Sequence, residues 1–166
     1  MVDTWMLVTI IAIAAVAVVI KRLLGEPLNA RDLFAPPLVL TGLGIWALTE
    51  VKGLTGTDLG WVIAGSVLGV GLGAVRGATI QVYPKEGTLY QRYTGKTFLV
   101  IIGSLLVMAA FGFLAVHMGM QAEARPINLS IGVGFLGEAL VVGARGLSTG
   151  VPFAPEKPRR FERPRI

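Results

Sequence analysis

A chain of 166 residues with 15% charged residues falls well short of the roughly one-quarter charged content of soluble domains. Its mean hydropathy is +0.71, and its charges gather between apolar blocks, which marks a chain dissolved in lipid. The absence of cysteine excludes disulfides, thiolate metal sites and thiol nucleophiles, and the net charge of +5 is assigned to loops that set membrane topology rather than to nucleic acid.

The first apolar run, Trp5 to Ile20, predicts a span over residues 4–21. Asp3 precedes it, and Lys21 and Arg22 follow it. A secretory signal has the reverse order, so the run reads as a retained helix with its N-terminus outside and Trp5 at the outer interface. Residues 23–34, with Gly25, Pro27 and Asn29, read as a cytoplasmic connection. A second span is predicted over 35–50, starting near Pro37, because the residue before a proline resists the helical region and proline suits a first turn.

Thr57 or Asp58 is expected to cap a third span over 58–76. This helix carries Gly65, Gly69, Gly73 and Gly77 at four-residue spacing, which stacks them on one face. Glycines so placed let another backbone approach closely, the main route to helix association in lipid. Residues 79–94 break the pattern: Ile80 and Val82 alternate with polar neighbours, and Pro84 to Gly87 make a turn, with Gly87 accepting a positive φ. A cytoplasmic β-hairpin is predicted there, with Tyr83, Tyr90 and Tyr93 near the headgroups. The fourth and fifth spans follow at 96–118 and 127–145. Residues 147–166 form a basic, proline-rich cytoplasmic tail whose composition predicts disorder.

The expected fold class is therefore all-α and membrane-spanning: about five transmembrane helices over residues 1–146, N-terminus outside, C-terminus inside, with one short hairpin between helices 3 and 4. Of the fifteen Lys and Arg, only Lys52 and Arg125 then fall outside, and the other thirteen lie inside or at inner helix ends. That bias supports the direction. A short echo links the third span, ending LGVGLGAVRG, with the fifth, ending GEALVVGARG; it suggests two helical hairpins related by a parallel repeat.

Glu138 stands out because it lies deep in the fifth span, where an ionised carboxylate in hydrocarbon is costly. Two readings stay open: a proton, cation or substrate site, or a structural acid paired with Arg76 or Arg145. Arg76 and Arg145, closing the echoing helices, are candidates for contact with an anionic lipid headgroup or substrate, or serve as simple membrane anchors. His117, the one histidine, is a weak metal candidate near Met118 and Met120. No GxSxG, HExxH, Walker lysine or paired-acid motif occurs, so an enzyme is not the expected reading.

The leading functional expectation is a non-enzymatic accessory or scaffold subunit that associates with a membrane-protein partner or a second copy through the glycine-rich helix face. The alternative is a small oligomeric transporter or channel using Glu138, and a third is an intramembrane enzyme or lipid-binding protein using Arg76, Arg145 and Glu138. No cofactor and no nucleic acid are expected; the bilayer, including its anionic lipids, is. The expected location is the cytoplasmic membrane of a bacterium.

The segments RLLGEPL after the first span, LGAVRG closing the third, GTLYQRYTGKT entering the fourth and GEALVVGARG closing the fifth resemble the CcdC-like family of small bacterial membrane proteins, over about Lys21 to Gly146. The family name implies proximity to cytochrome c maturation. The chain lacks CxxC and CxxCH, so the resemblance adds nothing to thiol-redox or haem-attachment roles, and it carries over no functional residue.

Overall fold

The structure, a computed structural model, describes residues 4–156, with the side chains of the first helix described only in part. The described residues form five α-helices, α1 (Thr4–Leu24), α2 (Ala30–Thr49), α3 (Gly56–Thr79), α4 (Gly95–His117) and α5 (Ile127–Ser148), with three short strands, β1 (Glu26–Pro27) between α1 and α2, and β2 (Gln81–Lys85) and β3 (Thr88–Arg92) between α3 and α4. Among the described residues four helices are long and apolar enough to cross a membrane: α2, α3, α4, and α5 with the 3-10 turn Ala122–Ala124 before it. The first expected span is occupied by α1, a helix of 21 residues. The expectations for Asp3, for the Trp5 side chain and for the basic residues from Lys157 onward fall outside the described residues.

These four helices pack in the order α2, α5, α3, α4, while α1 meets the rest of the chain mainly through β3. Exposed apolar side chains such as Ile63, Val67, Leu99 and Leu105 cover the outside, as expected of a surface that faces lipid. Of the ten lysines and arginines among the described residues, Lys52 and Arg125 lie at one end of the bundle and the other eight lie at or near the end that carries the sheet.

The predicted hairpin is present. Glu86 and Gly87 form its two-residue turn, both with positive φ (51° and 75°), a geometry that matches the twist of the flanking strands. The sheet has one strand more than expected. Glu26 and Pro27, read from sequence as part of a connection, pair antiparallel with Gln91 and Tyr90, giving the order β1-β3-β2. Pro27 and Pro84 both lie on outer strands, where a missing N–H breaks no central ladder. The sheet rests on a core of Leu28, Ile80, Leu89, Tyr93 and Val142.

Three further expectations are corrected. The second helix begins at Ala30, not near Pro37, and Pro36 and Pro37 lie inside it. Asn29 makes the earlier start: its side chain accepts from the Arg31 N–H at 2.8 Å. The two prolines remove the N–H donors that the Asp32 and Leu33 carbonyls would otherwise meet four residues on. The cap of α3 is Thr55 rather than Thr57 or Asp58. Asp58 supplies the other half of the capping box, and its carboxylate also accepts from the Gln121 N–H at 2.8 Å, tying together the two loops at that end. The stretch after α5, assigned to a disordered tail, folds back over the sheet as far as the described residues go. The Leu89 N–H donates to Pro152 O, and the Ala154 N–H donates to Leu28 O.

The glycine face of α3 is used, but not as expected. It is covered by the chain's own α5 rather than left for a partner or second copy. Gly69, Gly73 and Gly77 are buried. A Cβ on Gly69 would stand 2.9 Å from Val133 Cγ2, one on Gly77 would stand 2.8 Å from Glu138 O, and one on Gly73 would overlap the Gly134 carbonyl. Gly65, one turn farther along, instead meets the Phe111 ring of α4. From the other side, Gly137 of α5 seats against the Val70 backbone. A second close approach, unforeseen from sequence, sets Gly44 of α2 against Leu129, and Gly132 of α5 against Thr41.

Candidate functional site: a cleft floored by Glu138

The close approach of α3 and α5 decides what surrounds Glu138. With glycines at the contact, no side chain separates the two backbones, and Arg76 reaches across to donate from Nε to Glu138 Oε2. The Arg76 guanidinium also lies 4.9 Å from the centre of the Phe135 ring. On the other carboxylate oxygen, the Tyr93 hydroxyl donates to Oε1 at 2.5 Å. Glu138 is 6% exposed and is thus held from two other elements, α3 and the turn between β3 and α4. Of the two arginines considered from sequence, Arg76 is the partner.

Tyr93 is itself fixed. Its backbone N–H donates to Arg22 O at 2.9 Å, and the Arg22 guanidinium lies over its ring at 5.1 Å. Burial first, and then the Glu138 charge, push the Tyr93 phenol above its ordinary range, with Arg22 opposing. The hydroxyl therefore stays protonated and available as a donor across physiological pH. Arg22 and Lys21 both pair with Glu26, Lys21 at 3.1 Å, and Gln91 Nε2 donates to Glu26 Oε1 at 3.2 Å. Glu26, Arg22, Tyr93, Glu138 and Arg76 thus form one continuous chain of polar contacts from the sheet into the helices.

This chain borders a cleft of about 720 Å³. Glu138 lines it. Leu33, Pro36, Leu40 and Phe135 supply an apolar wall, and Lys21, Arg22, Glu26 and Asp32 a charged one toward the sheet. Asp32 is exposed and has no ion-pair partner among the described residues. Elsewhere, a void of about 30 Å³ between Trp61, Phe111 and Arg125 offers little more room than one or two waters occupy.

The remaining sequence candidates lie apart from the cleft. Arg145 does not join Arg76 at an anion site. Its Nη1 donates to the carbonyls of Gly77, Ala78 and Ile80, at 3.1, 3.2 and 2.7 Å, and so closes the C-terminal end of α3. The two echoing arginines thus serve each other's helices in different ways. His117 is exposed and stacks on Phe113, with ring centres 4.8 Å apart. Among the described residues no group of three His, Cys, Asp or Glu is placed to hold a metal ion.

Sequence reasoning missed Arg22, Glu26, Asp32 and the role of Tyr93. Only Tyr93 left a usable signal, as a buried-type aromatic in the polar segment entering α4. Comparison with known proteins returns no match: no protein-family model, no curated protein and no solved structure matches the chain.

Proposed function

We propose that the chain is a small carrier of the bacterial cytoplasmic membrane that admits a substrate from the inside into the cleft above Glu138. In this reading α1 completes five spans, with the N-terminus outside and the sheet inside. The crowding of eight of the ten described basic residues toward the sheet end supports that direction and favours contact with anionic lipid there. The protein is read as non-enzymatic, and membership of the CcdC-like family stays a proposal resting on the segments quoted above. One observation carries the carrier reading: the acid deepest in the helices lines an accessible, part-charged cleft instead of a dry helix contact.

The natural absence of cysteine makes the test direct. Leu40 lines the cleft ten residues into α2, about 15 Å along its axis from Ala30. Leu40→Cys should react with a membrane-impermeant thiosulfonate in inside-out vesicles and stay protected in right-side-out ones. Ile63→Cys, on the outward face of α3, should resist from both sides. A Leu40→Cys inert from both sides would end the carrier reading, and reaction only from outside would invert the topology.

An accessory role keeps one specific support, now on a different helix. The α1 side chains Ile10, Ile13, Val16 and Ile20 are all at least half exposed, and α1 makes little lateral contact with α2 or α5. If α1 packs on a second copy, Ile13→Cys should form a disulfide-linked dimer under mild oxidation in membranes, and a monomer throughout would argue for lipid on that face.

A further inference from the structure

We infer that the cleft takes an amphiphilic organic cation, an ammonium or phosphonium head on an apolar body, with Asp32 as its counter-charge. The inference rests on the carrier reading for access to the cleft and adds the ligand's chemistry. Four acids line the cleft, Glu26, Asp32, Glu86 and Glu138, against two bases, Lys21 and Arg22. Both bases are engaged by Glu26, and Glu138 is held by Arg76 and Tyr93. Of the six charged residues that line the cleft, Asp32 and Glu86 have no ion-pair partner among the described residues, so the uncompensated charge on the walls is negative. An anionic head would have to take Lys21 or Arg22 away from Glu26, whereas a cationic head meets a free carboxylate.

The apolar wall continues from that carboxylate. Asp32, Pro36 and Leu40 are spaced by four along α2 and so share one face of the helix, and all three line the cleft. This places a charge at the sheet end of an apolar stripe, the arrangement an amphiphile presents in mirror image. Two aromatic rings on the walls, Tyr90 and Phe135, each already draw a protein cation, Lys85 at 5.3 Å and Arg76 at 4.9 Å. The volume of about 720 Å³ falls among small-molecule sites of roughly 300–1,000 Å³.

The probe is radiolabelled tetraphenylphosphonium, measured at equilibrium with the full chain in phosphatidylcholine nanodiscs, with tetraphenylborate as the anion of the same shape. Saturable binding of the cation is expected, with no competition by the anion. Asp32→Asn should weaken binding about tenfold, the scale of one lost charge contact of about 1.4 kcal/mol. The substitution is at an exposed, unpaired side chain, so an unchanged melting temperature should accompany it. Glu86→Gln, on the hairpin turn away from the apolar stripe, should change affinity by about twofold at most. Equal binding by Asp32→Asn, or equal binding of the anion, overturns the inference. Absence of cation binding alongside a reactive Leu40→Cys sinks the ligand class alone, and absence of both sinks the carrier reading with it.

Discussion

Gly73→Ala is expected to loosen the bundle more than any other single methyl added to α3. The new Cβ would overlap the Gly134 carbonyl, a backbone group that has no rotamer to escape into. The helices α3 and α5 can accommodate it only by moving apart, which breaks contacts at Gly69 and Gly77 as well. Overpacking of a well-fitted contact costs about 1–3 kcal/mol, and the upper end is expected here, read as a melting temperature lower by on the order of 10 °C for the purified protein in mild detergent. Gly71→Ala is the internal control. Its Cβ would meet nothing within 4 Å, so that variant should melt with or slightly above the parent, given the better helix propensity of alanine. If Gly73→Ala matches Gly71→Ala, the α3–α5 contact does not hold the bundle.

Removing Arg76 should be as damaging by a different route. Glu138 is 6% exposed, and Arg76→Ala would leave its carboxylate buried with only Tyr93 as donor. Breaking one partner of a buried pair costs about 3–5 kcal/mol, mostly through the charge left behind. Neutralising both is far milder, so adding Glu138→Gln to an Arg76→Met background should restore most of the loss, since glutamine keeps an acceptor for the Tyr93 hydroxyl. The measurement is thermal unfolding of the two single variants and the double variant. Single variants that melt with the parent would mean that the pair contributes nothing. A double variant as unstable as Arg76→Met would assign the loss to the guanidinium's contact with the Phe135 ring instead of to its pairing with Glu138.

The sequence by itself determined that the chain is built of long apolar helices, that a hairpin stands between the third and fourth, and that Glu138 lies deep within the last. Each of these rests on a local signal: apolar length, alternation with a proline-glycine turn, and a charge inside an apolar run. It also found the glycine face of α3, because four-residue spacing is a property of one helix. What covers that face was settled by tertiary structure, since a small-residue stripe specifies close approach without specifying whose backbone approaches. The same holds for the partners of Glu138. Arg76 and Arg145 end their helices in similar words, yet one reaches the carboxylate and the other closes α3, because the α3–α5 contact sets which side chain can cross. Pro36 and Pro37 lie inside α2 rather than at its start because Asn29, seven residues before Pro36, caps the helix first. The cleft itself was invisible in sequence. Its walls come from Lys21 to Leu40, from the hairpin, from α5 and from Ala154 and Pro155, and no pattern along the chain signals that such distant segments enclose one space.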